Sequence, residues 1–260
     1  MQPIIKVNNI SKHFYINHDY QSDTLKEFVT SIIYNPIKVL SKKYEEFWSL
    51  QNICFEVMPG EVFGIIGPNG SGKSTLLKIL SRIIEPTSGR AELYGRVSSL
   101  LEVGTGFHPD LTGRENVYLN GAILGMTKKE ITASLDSIVD FAAIEKFIDT
   151  PVKHYSNGMY IRLAFSVGVH LNSEILILDE ILAVGDEIFQ QKFADKLKEI
   201  IQQGKTILIV SHSLEIIQQF CERVMLIIEG KVKTIGQTSE VLKIYHDYCH
   251  LEQNQFDSSN

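Results

Sequence analysis

The chain has 260 residues, 44% of them hydrophobic, and a formal net charge of −6. That length admits one large or two small domains with an ordinary core, and the acidic balance argues against a broad nucleic-acid surface, which needs a basic patch. No apolar run approaches the roughly 18 residues of a membrane span.

The N-terminal apolar residues are interrupted by Lys6, Asn8 and Asn9, so they lack the core of a signal peptide. Ile4 to Ile10 instead read as a first strand, with Phe14 and Tyr15 after it. Before the next strand, Ile53 to Val57, the residues Leu25, Phe28, Val29, Ile32 and Ile33 mark one face of a helix. Asp23 or Thr24 is its candidate start and Pro36 its stop. Two readings stay open for it. It packs on its own domain, or it meets a membrane protein or the lipid interface, which Lys38, Lys42 and Lys43 just beyond it favour. Cys54, Cys221 and Cys249 are odd in number and far apart, which points to reduced thiols without a structural metal.

The run Gly67-Pro68-Asn69-Gly70-Ser71-Gly72-Lys73-Ser74, followed by Thr75, fits Gly-x4-Gly-Lys-Ser. Apolar Val62, Phe63, Ile65 and Ile66 precede it, and Leu76 to Leu80 continue as a helix. Strand, glycine loop and helix together make a phosphate cradle. Glycines let backbone N–H groups wrap a polyanion, and the helix points its positive end at it. Lys73 reaches the β- and γ-phosphates, and Ser74 can hold Mg²⁺.

A turn at Glu85–Gly89 leads to short strands between Arg90 and Leu101, and Thr112 to Leu171 is mostly helical. Its helices are Glu115–Leu124, Lys128–Phe141 with Thr127 and Glu130 as a capping box, and Ser156–Val169. Ile175 to Leu178 ends in Asp179-Glu180, and Thr206 to Val210 ends in Ser211-His212. Continuous apolar character suits strands of a parallel sheet buried on both faces, with ligands at their carboxyl ends. Asp179, Glu180 and His212 should therefore converge above the glycine loop. A hairpin turning at Gly230, a helix from Ser239 to Tyr248 and a frayed polar tail, Gln253 to Asn260, complete the chain.

The glycine loop, Ser156-Asn157-Gly158, Asp179-Glu180, Asp186 and His212, in this order, resemble the nucleotide-binding subunit of ABC transporters over nearly the whole chain. The resemblance implies an α/β fold: a P-loop NTPase core of mostly parallel sheet flanked by helices, a small antiparallel β subdomain and an inserted helical subdomain. Residues 1–15, 46–111 and 171–250 form the core with the β subdomain, 112–170 the helical signature subdomain, 16–45 an amphipathic insertion and 251–260 a flexible tail. It further implies ATP and Mg²⁺ as cofactors. Gly67 to Thr75 hold the phosphates, Asp179 with Ser74 holds Mg²⁺, Glu180 is the general base and His212 contacts the γ-phosphate. Phe14 or Tyr15 stacks on adenine, with a core position as the alternative. Ser156, Asn157 and Gly158 replace the family's Leu-Ser-Gly-Gly-Gln signature and face the ATP of a second copy, and Asp186 lies at that dimer seam. The usual glutamine near 102–103 is absent, and Glu102 is its nearest polar substitute.

The departures resemble ATPases of polysaccharide and polyol-phosphate exporters: Tyr155-Ser-Asn-Gly-Met159, Leu100 to Pro109, Leu111 to Asn116 and the insertion, similar to a gate helix. This implies a homodimer, peripheral on the cytoplasmic face of the bacterial inner membrane. It would power a separate permease that exports a lipid-linked glycan of O-antigen or capsule type, without recognising the glycan itself. Teichoic-acid export is the nearest alternative. A soluble non-transport ATPase of the same superfamily and an importer are others.

Overall fold

The computed structural model describes residues 2–17, 44–100, 104–179, 186–211 and 213–257. The amphipathic segment around 24–33, Glu102, Glu180 and His212 lie outside the described residues. In chain order the strands are β1 (Ile5–Asn17), β2 (Tyr44–Val57), β3 (Val62–Ile66), β4 (Ser88–Leu93), β5 (Val97–Ser99), β6 (Ile175–Leu178), β7 (Thr206–Val210), β8 (Arg223–Ile228) and β9 (Lys231–Gln237). The helices are α1 (Lys73–Leu80), α2 (Gly113–Ile123), α3 (Lys128–Ala142), α4 (Asn157–Val169), α5 (Glu187–Gln202), α6 (Leu214–Phe220) and α7 (Thr238–Asp257).

Six strands form one sheet in the order β5-β6-β7-β3-β8-β9. It is parallel except for β9, which returns antiparallel along β8. The central strands are apolar throughout because both their faces are covered. On β3, Phe63 and Ile65 pack with Leu76, Leu77 and Leu80 of α1 and with Ile5, Ile10, Leu50 and Ile53 of the second sheet. Val62 and Ile66 point the other way, into a cluster with Phe165 of α4 and Phe193 and Leu197 of α5. β7 divides likewise: Leu208 and Val210 join the first cluster, Ile207 and Ile209 the second. The second sheet is antiparallel, in the order β2-β1-β4. Helices α2, α3 and α4 build a third core from Val117, Ile131, Ile138 and Leu163.

Several elements run further than the sequence suggests. β1 does not stop at Ile10. The polar Asn8-Asn9 pair is a bulge, with Asn9 at φ 49° and a register shift between Val7 and Ile10. Cys54 Sγ accepts from the Asn9 amide at 3.1 Å and donates to Asn9 Oδ1 at 2.9 Å, which stabilises the bulge. β2 starts at Tyr44 rather than Ile53, so the two strands take residues 16, 17, 44 and 45 from the expected insertion. α2 starts at Gly113, two residues early, because Thr112 and Glu115 form a capping box of their own. The last helix also runs past the expected Tyr248: α7 continues to Asp257, through a stretch with no Gly or Pro to break it.

Candidate functional site

β3 delivers the chain to the glycine loop at the carboxyl end of the parallel sheet, and α1 carries it away. The loop can close this tightly only with glycine at its hinges. Gly67 has φ 152°, and a Cβ there would strike the Ile227 carbonyl of β8. Gly72 has φ 101°, and its Cβ would strike the Ser49 carbonyl of β2. Gly72 is also the N-cap of α1 with no side-chain hydrogen bond, so the first-turn N–H groups of the helix keep their capacity for an anion.

Lys73, only 4% exposed, donates from Nζ to the Gly67 carbonyl at 2.8 Å and the Pro68 carbonyl at 2.9 Å. The ammonium is thus held inside the curl of the loop. Ser71 Oγ is buried without a hydrogen-bond partner among the described residues, a polar atom in want of a ligand or water. Together with Asn69, Gly70, Ser74, Thr75, Ser49, Phe14 and Phe47, these groups line a cleft of about 330 Å³. Ser49 Oγ donates to Thr75 Oγ1 at 2.8 Å and ties β2 to the start of α1.

Of the two candidate stacking aromatics, Phe14 lines the cleft and Tyr15 does not. Tyr15 lies on the opposite face of the strand, where its ring and that of Trp48 each pack edge-on to His13, with centroids 5.0 Å apart. Phe14 is 40% exposed, which also removes the core alternative for it. Phe47 and Ser49 carry no local motif. They are found only from the register of β2 against β1, where Phe47 sits opposite Phe14.

Asp179 follows β6 at its carboxyl end, and Ser211 follows β7, the strand between β6 and β3. Both therefore stand on the edge of the sheet that carries the glycine loop. Ser156 caps α4, its Oγ accepting from the Met159 amide at 3.2 Å, and Asn157 and Gly158 after it are exposed. None of the three lines the cleft. A Cβ at Gly158 would meet only Ser156 Oγ, 3.9 Å away, so the chain's own packing does not demand glycine there. Tyr155, where the resembled signature has leucine, donates its hydroxyl to the Phe147 carbonyl at 2.7 Å. Burial, aided by the charge of Asp149, pushes its pKa up to about 12, so it stays a neutral donor. Asp186 caps α5, accepting from the Phe189 amide at 2.9 Å, and its other oxygen lies 3.9 Å from Arg162 Nη1 of α4.

The segment after residue 103 is pinned to the helical subdomain. Tyr160 donates to the Gly104 carbonyl at 2.9 Å, and Asn120 to the Thr105 carbonyl at 2.9 Å. Asn116, fully buried, accepts from the His108 amide at 2.7 Å and donates to the His108, Leu111 and Thr112 carbonyls.

The ABC transporter family profile matches residues 50–183. The O-antigen export system ATP-binding protein RfbB of Myxococcus xanthus is 48% identical over 80% of this chain, which spans 47% of that relative's length. The protein of the same name from Klebsiella pneumoniae is 38% identical over 94% of this chain and 98% of its own. The teichoic acids export ATP-binding protein TagH of Levilactobacillus brevis is 44% identical over 96% of this chain and 67% of its own. Among solved structures, an ATP-binding subunit of an ABC transporter superposes with a TM-score of 0.72 at 19% identity, covering 96% of this chain and 98% of that one. A dimeric ATP-binding cassette bound to ADP and Pi superposes with a TM-score of 0.69 at 21% identity, over 90% and 98% of the two chains. These last two establish the fold, and with the profile and the Klebsiella relative they lead to one conclusion: the chain belongs to the ABC transporter family.

Proposed function

We propose that this chain is the ATP-hydrolysing subunit of an exporter of lipid-linked surface polysaccharide, of the O-antigen or capsule type. It works on a separate transmembrane permease from the cytoplasmic face of the bacterial inner membrane. One observation carries the reading: a loop with a buried lysine curled into an open cleft, in a chain aligned with 98% of a relative named for O-antigen export. Among the described residues no helix is long and apolar enough to cross a membrane.

In this reading the loop amides and Lys73 take the triphosphate, with Lys73 exchanging its two carbonyl partners for phosphate oxygens. The hydroxyl of Ser74 and the carboxylate of Asp179 are the hard oxygen donors that suit Mg²⁺, and Glu102 is a further candidate. When bound, that ion neutralises charge on the β- and γ-phosphates. Glu180 accepts the proton of the attacking water, and His212 contacts the γ-phosphate. Ser156, Asn157 and Gly158, exposed at the start of α4, face the ATP of a second copy. Space for that partner's phosphates accounts for a glycine that local packing does not require. ATP shared between two chains closes the dimer, and hydrolysis opens it.

The test is Glu180→Gln. Turnover should fall at least about 100-fold, while ATP drives the protein into a dimer visible by light scattering. Unchanged turnover would remove Glu180 from the role of base. The similarity to teichoic-acid exporters over 96% of this chain supports a second reading, export of a polyol phosphate. Complementation of strains lacking either kind of exporter separates the two.

A further inference from the structure

The cleft around the glycine loop has a second aromatic wall. β4 pairs with β1 only as far as Ser11, so beyond that point β1 and β2 continue as a two-stranded ribbon. Phe14 and Phe47 are direct cross-strand partners in it, which puts their rings on one face. Both line the cleft, and they remain 40% and 48% exposed. Lys12 Nζ lies 5.2 Å from the centroid of the Phe14 ring, held there by donating to the Glu85 carbonyl at 2.8 Å.

We infer that Phe47 is a second base-contacting residue. With Phe14 it forms one platform on which the base of the nucleotide stacks. The lining supports this placement. Ser49 of β2 and Thr75 of α1 are bonded to each other. Asn69, Ser71, Lys73 and Ser74 belong to the phosphate loop and the first turn of α1. Among the described residues, Phe14 and Phe47 are the apolar side chains of the lining, and they are the surface it offers a base. The inference rests on the nucleotide reading above.

The test is titration of the full chain with ATP, GTP and inorganic tripolyphosphate, comparing wild type with Phe47→Ala and Phe47→Tyr. A base stacked on an aromatic ring loses about tenfold in affinity when the ring is removed. Phe47→Ala should therefore weaken ATP and GTP by that factor and leave tripolyphosphate unchanged. Phe47→Tyr should match wild type. Two results overturn the inference: Phe47→Ala binding ATP as wild type does, or Phe47→Ala losing tripolyphosphate equally. A wild type that binds neither ATP nor tripolyphosphate sinks the nucleotide reading itself, and this inference with it.

Discussion

Lys73 is the residue on which the site turns, and its burial makes its replacement informative. Lys73→Ala removes a charged donor that sits between two loop carbonyls at 2.8 and 2.9 Å. Two charge-assisted hydrogen bonds redirected to phosphate are together worth roughly a hundredfold in affinity. ATP binding should fall by at least that much in calorimetry. Gly72→Ala fails for a different reason. A left-handed φ of 101° and a Cβ driven into the Ser49 carbonyl should lower thermal stability by about 1–3 kcal/mol. Lys73 and the glycines were readable from the sequence because their spacing is the chemistry. Phe47 was not: its place in the cleft depends on strand register, which no local pattern records. Glu102, Glu180 and His212 rest on the resemblance and stay proposals.

At the level of elements, hydrogen-bonded caps hold the helical subdomain in shape. Glu115 and Glu130 each accept from the amide and hydroxyl of the threonine three residues before. The backbone bond, then the hydroxyl, holds each carboxyl below its ordinary pKa. A carboxyl depressed in the folded state stabilises the fold above its unfolded pKa, and that contribution is lost as pH falls through the lower folded value. Acid titration by circular dichroism should show helix loss below pH about 4. Glu115→Gln with Glu130→Gln, which keeps both boxes but cannot titrate, should flatten that limb. Asp186 allows a cleaner separation of roles. Asp186→Asn keeps the α5 cap and drops the ion pair with Arg162, whereas Asp186→Ala loses both. The alanine should cost about 1 kcal/mol of stability and the asparagine much less. If Asp186 also serves the dimer seam, the asparagine should still impair ATP-driven association, measured by light scattering. The Thr127 box stood out in the sequence, whereas the Thr112 box lay unused in the same pattern. The irregularities at Asn9 of β1 and Asn52 of β2, both with left-handed φ, hide the length of these strands because polar asparagines look like strand ends.

For the molecule as a whole, the parallel core was legible because strands buried on both faces have no polar alternation to hide them. The second sheet was less so, since its long strands carry bulges and exposed aromatics. What links the two sheets at the site is Gly230, in the turn between β8 and β9. Its amide donates to the Ser71 carbonyl of the glycine loop at 3.1 Å, and its carbonyl accepts from the Gln51 amide of β2 at 2.7 Å. One residue thus works as a tendon between the loop and the strand that follows the insertion. A loop that tightens around its cargo must tug β2, and slower hydrogen exchange at the Gln51 amide with nucleotide present would register the pull.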